Sequence, residues 1–177
     1  DVVGGGARTM HGAPIIDNRG HMELGDDVQL ISRFAPVRLT TSAGGTLTLG
    51  RGCTVNFGAV LSAEHSVRLG DRVSLGPWVQ VADHDEPTDA RPGAPEDVTI
   101  GDDVWLAARV RVLKGARIGA GTVVTAGSVV QGELPPNVIA GGIPARVLRS
   151  RHPGEAPPPE AIAEAPTPTP EAKGLVL

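Results

Sequence analysis

Aliphatic residues recur at every sixth position along most of this chain, and each series opens with an aliphatic residue followed by glycine. A sustained period of six fits neither an α-helix, whose apolar face recurs near 3.6 residues, nor an amphipathic strand, whose period is two. Six residues suffice for one short strand and a corner, so three such units close a triangular coil. The pattern therefore predicts an all-β parallel β-helix of hexapeptide repeats. Its rows are Leu49, Val55 and Leu61; Leu69, Leu75 and Val81; Ile100, Leu106 and Val112; and Ile118, Val124 and Val130.

The repeat is interrupted at coil corners. The first two intervals between rows are 20 and 31 residues instead of 18, so insertions of 2 and 13 residues are expected where the register pauses and then resumes. The longer insertion predicts an extended loop over residues 87–99. An irregular earlier row is assigned to Leu24, Leu30 and Pro36, followed by a surplus of seven residues around the glycine-rich stretch TTSAGGT.

The chain is expected to form one domain with a tail. Residues 1–149 are assigned to the β-helix, with residues 1–23 as an N-terminal cap that covers the open end of the stack. Residues 150–177 contain seven prolines, which remove backbone donors and disfavour continued strand pairing. This segment is predicted to be extended or partly disordered.

Composition excludes several classes of function. A net charge of −4 without a long basic run argues against nucleic-acid binding. No apolar run approaches the roughly 18–20 residues of a membrane span. The single cysteine, Cys53, excludes an internal disulfide framework and suits a reducing compartment, so a soluble cytoplasmic protein is expected.

Residues 100–149, from IGDDVW to PPNVIAGGIPARVLR, together with the earlier turn VADH, resemble the hexapeptide-repeat acyltransferases. More narrowly, they resemble the branch with galactoside, maltose and xenobiotic acetyltransferases and the O-acetyltransferases of polysaccharide assembly. The resemblance extends over residues 24 to about 149. It implies a left-handed β-helix, acetyl-CoA as co-substrate without a metal, and a homotrimer with active sites between subunits. The implied reaction is acetyl transfer to a hydroxyl of a saccharide or glycosylated metabolite.

The resemblance assigns the general base to His84, in VADH. An imidazole titrates near neutral pH and can take the proton of a hydroxyl while that hydroxyl attacks a thioester directly. Spacing adds a separate expectation, because Glu64 follows Leu61 by three residues just as His84 follows Val81. If the coils stack in this register, Glu64 lies one strand spacing, roughly 4.8 Å, from His84. Three roles for Glu64 stay open: orienting His84 in catalysis, binding the acceptor, or serving as a solvated charge.

Acceptor binding is assigned to Asn56, Glu64, Trp78 and Asp83. Asn56 matches an acceptor-binding asparagine of the family, with a corner amide bonded to its own backbone as the alternative. Trp78 is expected to line the acceptor site, and Asp83 to contact the acceptor. Whether Asp83, Asp85 or Glu64 holds the imidazole of His84 stays open.

The CoA groove is expected where small residues let a pantetheine arm approach exposed backbone amides. These residues are Ala107, Ala108, Ala126, Gly127 and Ser128. By the resemblance, Arg146 and Arg149 bind the CoA phosphates, which suits the forked guanidinium group. The chain has Gln131 and Gly132 where the family often carries threonine and lysine, so this phosphate contact is expected either to be missing or to be supplied by Lys114 or Arg151.

The sequence is compatible with two other functions and argues against a third. The same base would serve an amine, so an N-acyltransferase of an amino sugar is the enzymatic alternative. A non-catalytic trimeric scaffold is the alternative from another class. A zinc enzyme of this fold requires three suitably spaced histidines, whereas only His65 and His84 fall in the central coils, at different points of the hexapeptide.

Overall fold

The computed structural model describes residues 2–4, 8–10, 12–85, 93–152 and 155. In these ranges the chain forms short β-strands that follow one another around a triangular coil, three strands to a coil. Coil by coil, the strands are β1 (Val2–Gly4), β2 (Arg8–Met10) and β3 (Ile15–Asn18); β4 (His21–Leu24), β5 (Gln29–Ile31) and β6 (Arg38–Thr41); β7 (Thr46–Leu49), β8 (Thr54–Val55) and β9 (Val60–Ala63); β10 (Ser66–Leu69), β11 (Ser74–Leu75) and β12 (Gln80–Ala82); β13 (Val98–Ile100), β14 (Trp105–Leu106) and β15 (Arg111–Val112); β16 (Arg117–Ile118), β17 (Val123–Val124) and β18 (Val129–Val130); and β19 (Glu133–Leu134), β20 (Val138–Gly142) and β21 (Ala145–Ser150).

The coils stack into three sheets. Sheet 1 has the order β1-β4-β7-β10-β13-β16-β19, sheet 2 the order β2-β5-β8-β11-β14-β17-β20-β21, and sheet 3 the order β3-β6-β9-β12-β15-β18. Neighbouring strands come from successive coils and run parallel, except that β20 and β21 close the stack as an antiparallel hairpin. The predicted fold class, a left-handed parallel β-helix, is confirmed.

The aliphatic rows stack in the predicted register. Leu49 pairs with Leu69, Leu69 with Ile100, and Ile100 with Ile118, and none of the four is more than 3% exposed. Burial of each such side chain contributes roughly 1.5–3 kcal/mol. The register therefore continues unchanged across the long insertion before Ile100.

The prediction for the first row is wrong at its third position. Leu39, not Pro36, pairs with Leu61 and is fully buried. The residues that exceed the six-residue repeat in this part of the chain are divided between the corner before β6 and the glycine-rich turn before β7. Ser32 explains the extra residues before β6, because its buried hydroxyl accepts a hydrogen bond from the Val37 amide and closes a wide corner there.

The described residues of the N-terminal segment add strands to the stack. In the segment predicted as a cap, β1, β2 and β3 pair in parallel with the next coil, so the described part of residues 1–23 forms a coil itself. Of the predicted loop 87–99, residues 87–92 lie outside the described residues. The same holds for the predicted tail except residues 150–152 and 155. No helix in the described ranges has the length and apolar character needed to span a membrane.

Cys53 faces the core and donates from Sγ to the Gly70 carbonyl at 3.1 Å. It is fully buried, and burial raises the pKa of its thiol to about 11. Because only the thiolate reacts, we expect a disulfide reagent at pH 8 to modify Cys53 at least about 100-fold more slowly than a free thiol. Unfolding in guanidinium should restore full reactivity, and rapid labelling of the folded protein would contradict this placement.

Candidate active site

Asp83 anchors the corner between sheets 3 and 1. Its carboxylate is fully buried and accepts the amides of Glu64 at 2.8 Å, His65 at 2.8 Å and Ser66 at 2.6 Å. Three amide donors compensate the burial of one negative charge. The expected contact of Asp83 with the acceptor is therefore wrong, because both of its oxygens are used to tie this corner to the preceding coil.

His84 follows Asp83 at the rim of the same corner, with 17% of its side chain exposed. Its Nδ1 lies 2.9 Å from the main-chain carbonyl oxygen of Asp85, and its Nε2 lies 2.9 Å from Oγ of Ser62. A carbonyl oxygen can only accept, so Nδ1 carries the proton in the neutral ring. Nε2 is then the basic nitrogen, and the Ser62 hydroxyl donates to it.

Ser62 is a site residue that the hexapeptide count did not identify. It lies on β9 and pairs in register with Ala82 of β12, two residues before His84. Alternation along β9 buries Leu61 and Ala63 and turns Ser62 outward, toward the imidazole. The signal was present in the sequence, because the register that places Glu64 next to His84 places Ser62 on the same outer face.

Glu64 lies near His84, as the spacing predicted, without a hydrogen bond to it. Its Oε1 is 3.8 Å from Nδ1 of His84, and 45% of its side chain is exposed. At this distance the carboxylate can attract a protonated imidazole, while the Asp85 carbonyl holds the ring. The geometry thus answers which group orients the imidazole: it is the main chain of Asp85.

A cavity of about 590 Å³ opens beside His84 along the outer face of sheet 3. Its lining combines aliphatic groups with polar ones, and the polar side chains include His84, Asp85, Arg111, Lys114 and Gln131. The cavity extends from the coil of the imidazole to the two coils that follow it. A substrate lying here would be held across successive coils with its reacting atom at the imidazole.

Asn56 and Trp78 lie at a different corner, between sheets 2 and 3. The side-chain oxygen of Asn56 accepts the amide of Phe57 at 2.8 Å, as the alternative reading of this residue expected. Trp78 has φ 62° and is 47% exposed, and its ring covers Gly58, which lacks the Cβ that would clash with it. Phe57 packs edge-on against Trp78. Within one chain, sheet 3 separates this aromatic corner from His84.

The small residues predicted for a CoA groove stack on that same corner in later coils. Gly127 donates its amide to the Ala108 carbonyl at 2.9 Å, so the two turns are neighbours as expected. Ala107 and Ser128 are buried, and Ser128 Oγ accepts the Gly142 amide. Their side chains serve the scaffold, whereas Ala126 and Gly127 are exposed at the surface.

Arg146 and Arg149 both lie on β21, the last strand of sheet 2, and are exposed. Arg149 forms a two-bond ion pair with Glu155, which lowers the pKa of that carboxyl to about 2. Arg146 donates to its neighbouring carbonyl at Ala145. The two guanidinium groups are thus together on one strand, and Arg149 already binds an anionic group.

No cluster of three or more histidine, cysteine, aspartate or glutamate side chains suited to a metal ion occurs among the described residues. The site near His84 is built from one imidazole, one hydroxyl and one carboxylate. Such a set offers proton transfer and hydrogen bonding as its chemistry.

Residues 97–132 match the family model described as bacterial transferase hexapeptide (six repeats). Over 113 residues the chain is 34% identical to galactoside O-acetyltransferase of Escherichia coli K12, covering 61% of this chain and 56% of that protein. The chain thus spans about half the length of that curated relative and of the galactoside O-acetyltransferase of Lactococcus lactis, of which it covers 54%.

Two solved structures have the same fold. A galactoside acetyltransferase in complex with coenzyme A superposes with a TM-score of 0.61 at 27% identity, over 73% of this chain and 64% of that one. A hexapeptide-repeat acetyltransferase of Vibrio cholerae O1 biovar eltor, complexed with acetyl coenzyme A, has a TM-score of 0.57 at 25% identity, over 85% and 71%.

Proposed function

Because this chain is a relative of the hexapeptide-repeat acetyltransferases and shares their left-handed β-helix, we propose that it is an acetyltransferase that uses acetyl-CoA. The acceptor is a hydroxyl of a saccharide or glycosylated metabolite. The observation that carries this proposal is the imidazole of His84, whose unprotonated Nε2 meets a hydroxyl oxygen, that of Ser62, at 2.9 Å. The Ser62 hydroxyl stands where an acceptor hydroxyl would bind.

The proposed mechanism is direct transfer with His84 as general base. Nε2 removes the proton of the acceptor hydroxyl as its oxygen forms a bond to the thioester carbonyl carbon. The carbon–sulfur bond then breaks, and the imidazolium returns the proton to the departing thiolate. The Asp85 carbonyl holds Nδ1–H throughout, and the carboxylate of Glu64 stabilises the transient positive charge from 3.8 Å.

The galactoside O-acetyltransferases among the relatives support a saccharide acceptor. The aromatic corner of Phe57 and Trp78 supports it independently, because an exposed indole ring offers a flat apolar surface beside polar groups such as Asn56. We assign acceptor binding to Asn56, Glu64 and Trp78. A cytoplasmic location, where acetyl-CoA would be available, stays a prediction.

A homotrimer with active sites between subunits would bring these separate parts together. His84 and the aromatic corner lie at opposite edges of sheet 3 in one chain, and a neighbouring copy could present its own corner to the imidazole. Light scattering is expected to give about 54 kDa, three chains of 18.1 kDa each. An active monomer would contradict the shared site.

The shared site can be tested more sharply by mixing two variants that we expect to be inactive, His84→Ala and Asn56→Ala, under conditions that exchange subunits. Random mixing at equal amounts leaves about a quarter of the interfaces with both residues intact. About a quarter of the wild-type activity should therefore return. No recovery in verified mixed trimers would mean that each site takes both residues from one chain.

CoA is assigned to the groove beside Ala107, Ala108, Ala126, Gly127 and Ser128, with the side chains of Ala107 and Ser128 supporting the turns from below. The amides of Ala107, Gly127 and Ser128 donate within the protein, so the backbone amides of Ala108 and Ala126 would polarise the thioester carbonyl. Arg146 and Arg149 are assigned to the phosphates of CoA. Since the guanidinium group of Arg149 is already paired with the carboxylate of Glu155, a CoA phosphate would have to replace that carboxylate.

The experiment for the proposed function measures thiol release from acetyl-CoA with a panel of saccharides and amino sugars. Acetyl-CoA consumption that depends on a saccharide hydroxyl supports the proposal. Transfer only to amino groups would favour the N-acyltransferase alternative. Binding of CoA without turnover on any acceptor would favour a scaffold.

A further inference from the structure

Asp85 contacts its surroundings through two separate groups. Its main-chain carbonyl accepts Nδ1–H of His84 at 2.9 Å. Its carboxylate accepts one hydrogen bond from the ammonium group of Lys114 and one from the amide of Gly93, each at 2.6 Å. One residue therefore connects the orientation of the imidazole to a lysine on the following coil.

Lys114 is the residue that pairs with the Asp85 carboxylate at the other end of this connection. It lies at the corner after β15, and its Nζ reaches the Asp85 carboxylate and, at 3.4 Å, the Ala94 carbonyl. Both members of the ion pair are mostly covered, with 22% and 25% of their side chains exposed. A pair in this setting is less screened by solvent than the exposed pairs elsewhere on the surface. Lys114 also lowers the pKa of the Asp85 carboxyl, which keeps it ionised.

The chain near Gly93 returns to the same corner. The Glu96 amide donates to the Asp83 carbonyl at 2.8 Å, and the Gly115 amide to the Glu96 carbonyl at 3.1 Å. Lys114 and Gly115 thus hold the returning segment from one side while Asp83 and Asp85 hold it from the other. The position of the Asp85 carbonyl depends on these bonds, since they tie the segment from Gly93 to Glu96 and the Asp83–Asp85 stretch to each other.

We propose that Lys114 is a positioning residue for the base: through Asp85 it fixes the carbonyl that selects the Nδ1–H tautomer of His84. The proposal rests on the proposed function for its catalytic meaning, although the tautomer itself can be measured without substrate. It assigns to Lys114 a role other than the phosphate contact expected from the sequence, because its ammonium group is engaged with Asp85.

The direct test is ¹⁵N NMR of protein with labelled histidine, with the signals of His84 identified by their absence in His84→Ala. With the ring neutral, wild type should show Nδ1 protonated and Nε2 unprotonated. Lys114→Met and Asp85→Ala should each shift these signals toward a mixture of tautomers. Lys114→Arg, which keeps the cation, should restore the wild-type signals. Arg117→Met, which removes an exposed charge from sheet 1, is the matched control and should leave them unchanged.

Kinetics supply the second readout. Lys114→Met and Asp85→Ala should each lower kcat about 10- to 100-fold, since a misplaced base loses its alignment with the reacting atoms. The double variant should be no worse than either single one, because the two residues act as one unit. KM for acetyl-CoA should stay within about twofold of wild type.

Wild-type histidine signals in both Lys114→Met and Asp85→Ala would overturn the proposal. So would a higher KM for acetyl-CoA at unchanged kcat, which would mean that Lys114 binds a CoA phosphate. If the wild-type protein transfers acetyl to no acceptor, the proposed function fails, while the NMR comparison still decides the role of Lys114.

Discussion

Replacing His84 with alanine is expected to lower kcat/KM for acetyl transfer by about 10³-fold, within the range by which a positioned base accelerates a reaction. The loss follows from the geometry at Nε2, where the imidazole accepts a hydrogen bond from the Ser62 hydroxyl at an Nε2–Oγ distance of 2.9 Å. Without the base, a neutral hydroxyl must attack the thioester unaided. Steady-state thiol release measures the loss, and calorimetry should show that the variant still binds CoA with wild-type affinity.

Two further variants make this result specific. His21→Ala removes an exposed histidine from sheet 1, outside the site, and should retain wild-type turnover. Ser62→Ala should lose less than about tenfold, because in the proposed mechanism the acceptor hydroxyl takes the place of the Ser62 hydroxyl. A loss in Ser62→Ala as large as that in His84→Ala would contradict direct transfer and indicate a serine nucleophile.

Replacing Asp83 with asparagine is expected to lower the free energy of unfolding by about 2–4 kcal/mol. The carboxylate accepts three amide donors while fully buried. An asparagine of the same shape presents an NH₂ group to amides that are themselves donors, so at least one bond becomes unfavourable. For a chain of this size the melting temperature should fall by about 5–15 °C, measured at a single protein concentration.

Asp103→Asn is the matched control, since it makes the same chemical change at an exposed ion pair with Arg72. Asparagine also tolerates the positive φ of 56° at this position. An exposed pair contributes about 1 kcal/mol or less, so the melting temperature should change little. Equal losses in the two variants would contradict the structural role given to Asp83.

The central register of this fold could be predicted from the sequence because one aliphatic residue points inward on each side of every coil. That rule places Leu69 over Leu49 and Ile100 over Leu69 despite an insertion between them. It fails in the earlier coil, where Leu39 takes the position expected for Pro36. A corner closed by a side-chain hydroxyl has no fixed length, so counting in sixes cannot locate the next strand.

Some features of the candidate site could likewise be predicted from the sequence, and others could not. The position of His84 and its closeness to Glu64 follow from counting, since both depend on strand register. The group that holds the imidazole does not, because a main-chain carbonyl has no signature in the sequence. Asp83 is the opposite case: its place beside His84 suggested contact with the acceptor, while its burial and its amide partners are visible only in three dimensions.

The chemical nature of the reaction product tests whether His84 catalyses acetyl transfer to a hydroxyl group. Wild-type protein, His84→Ala and His21→Ala would be incubated with acetyl-CoA and the best saccharide acceptor, and the acceptor analysed by mass spectrometry before and after mild alkaline hydroxylamine. We expect one added acetyl group with wild type and His21→Ala, removed by hydroxylamine as an ester is, and almost none with His84→Ala, as the proposed mechanism requires. A hydroxylamine-resistant amide, or the same yield of ester from His84→Ala, would contradict it.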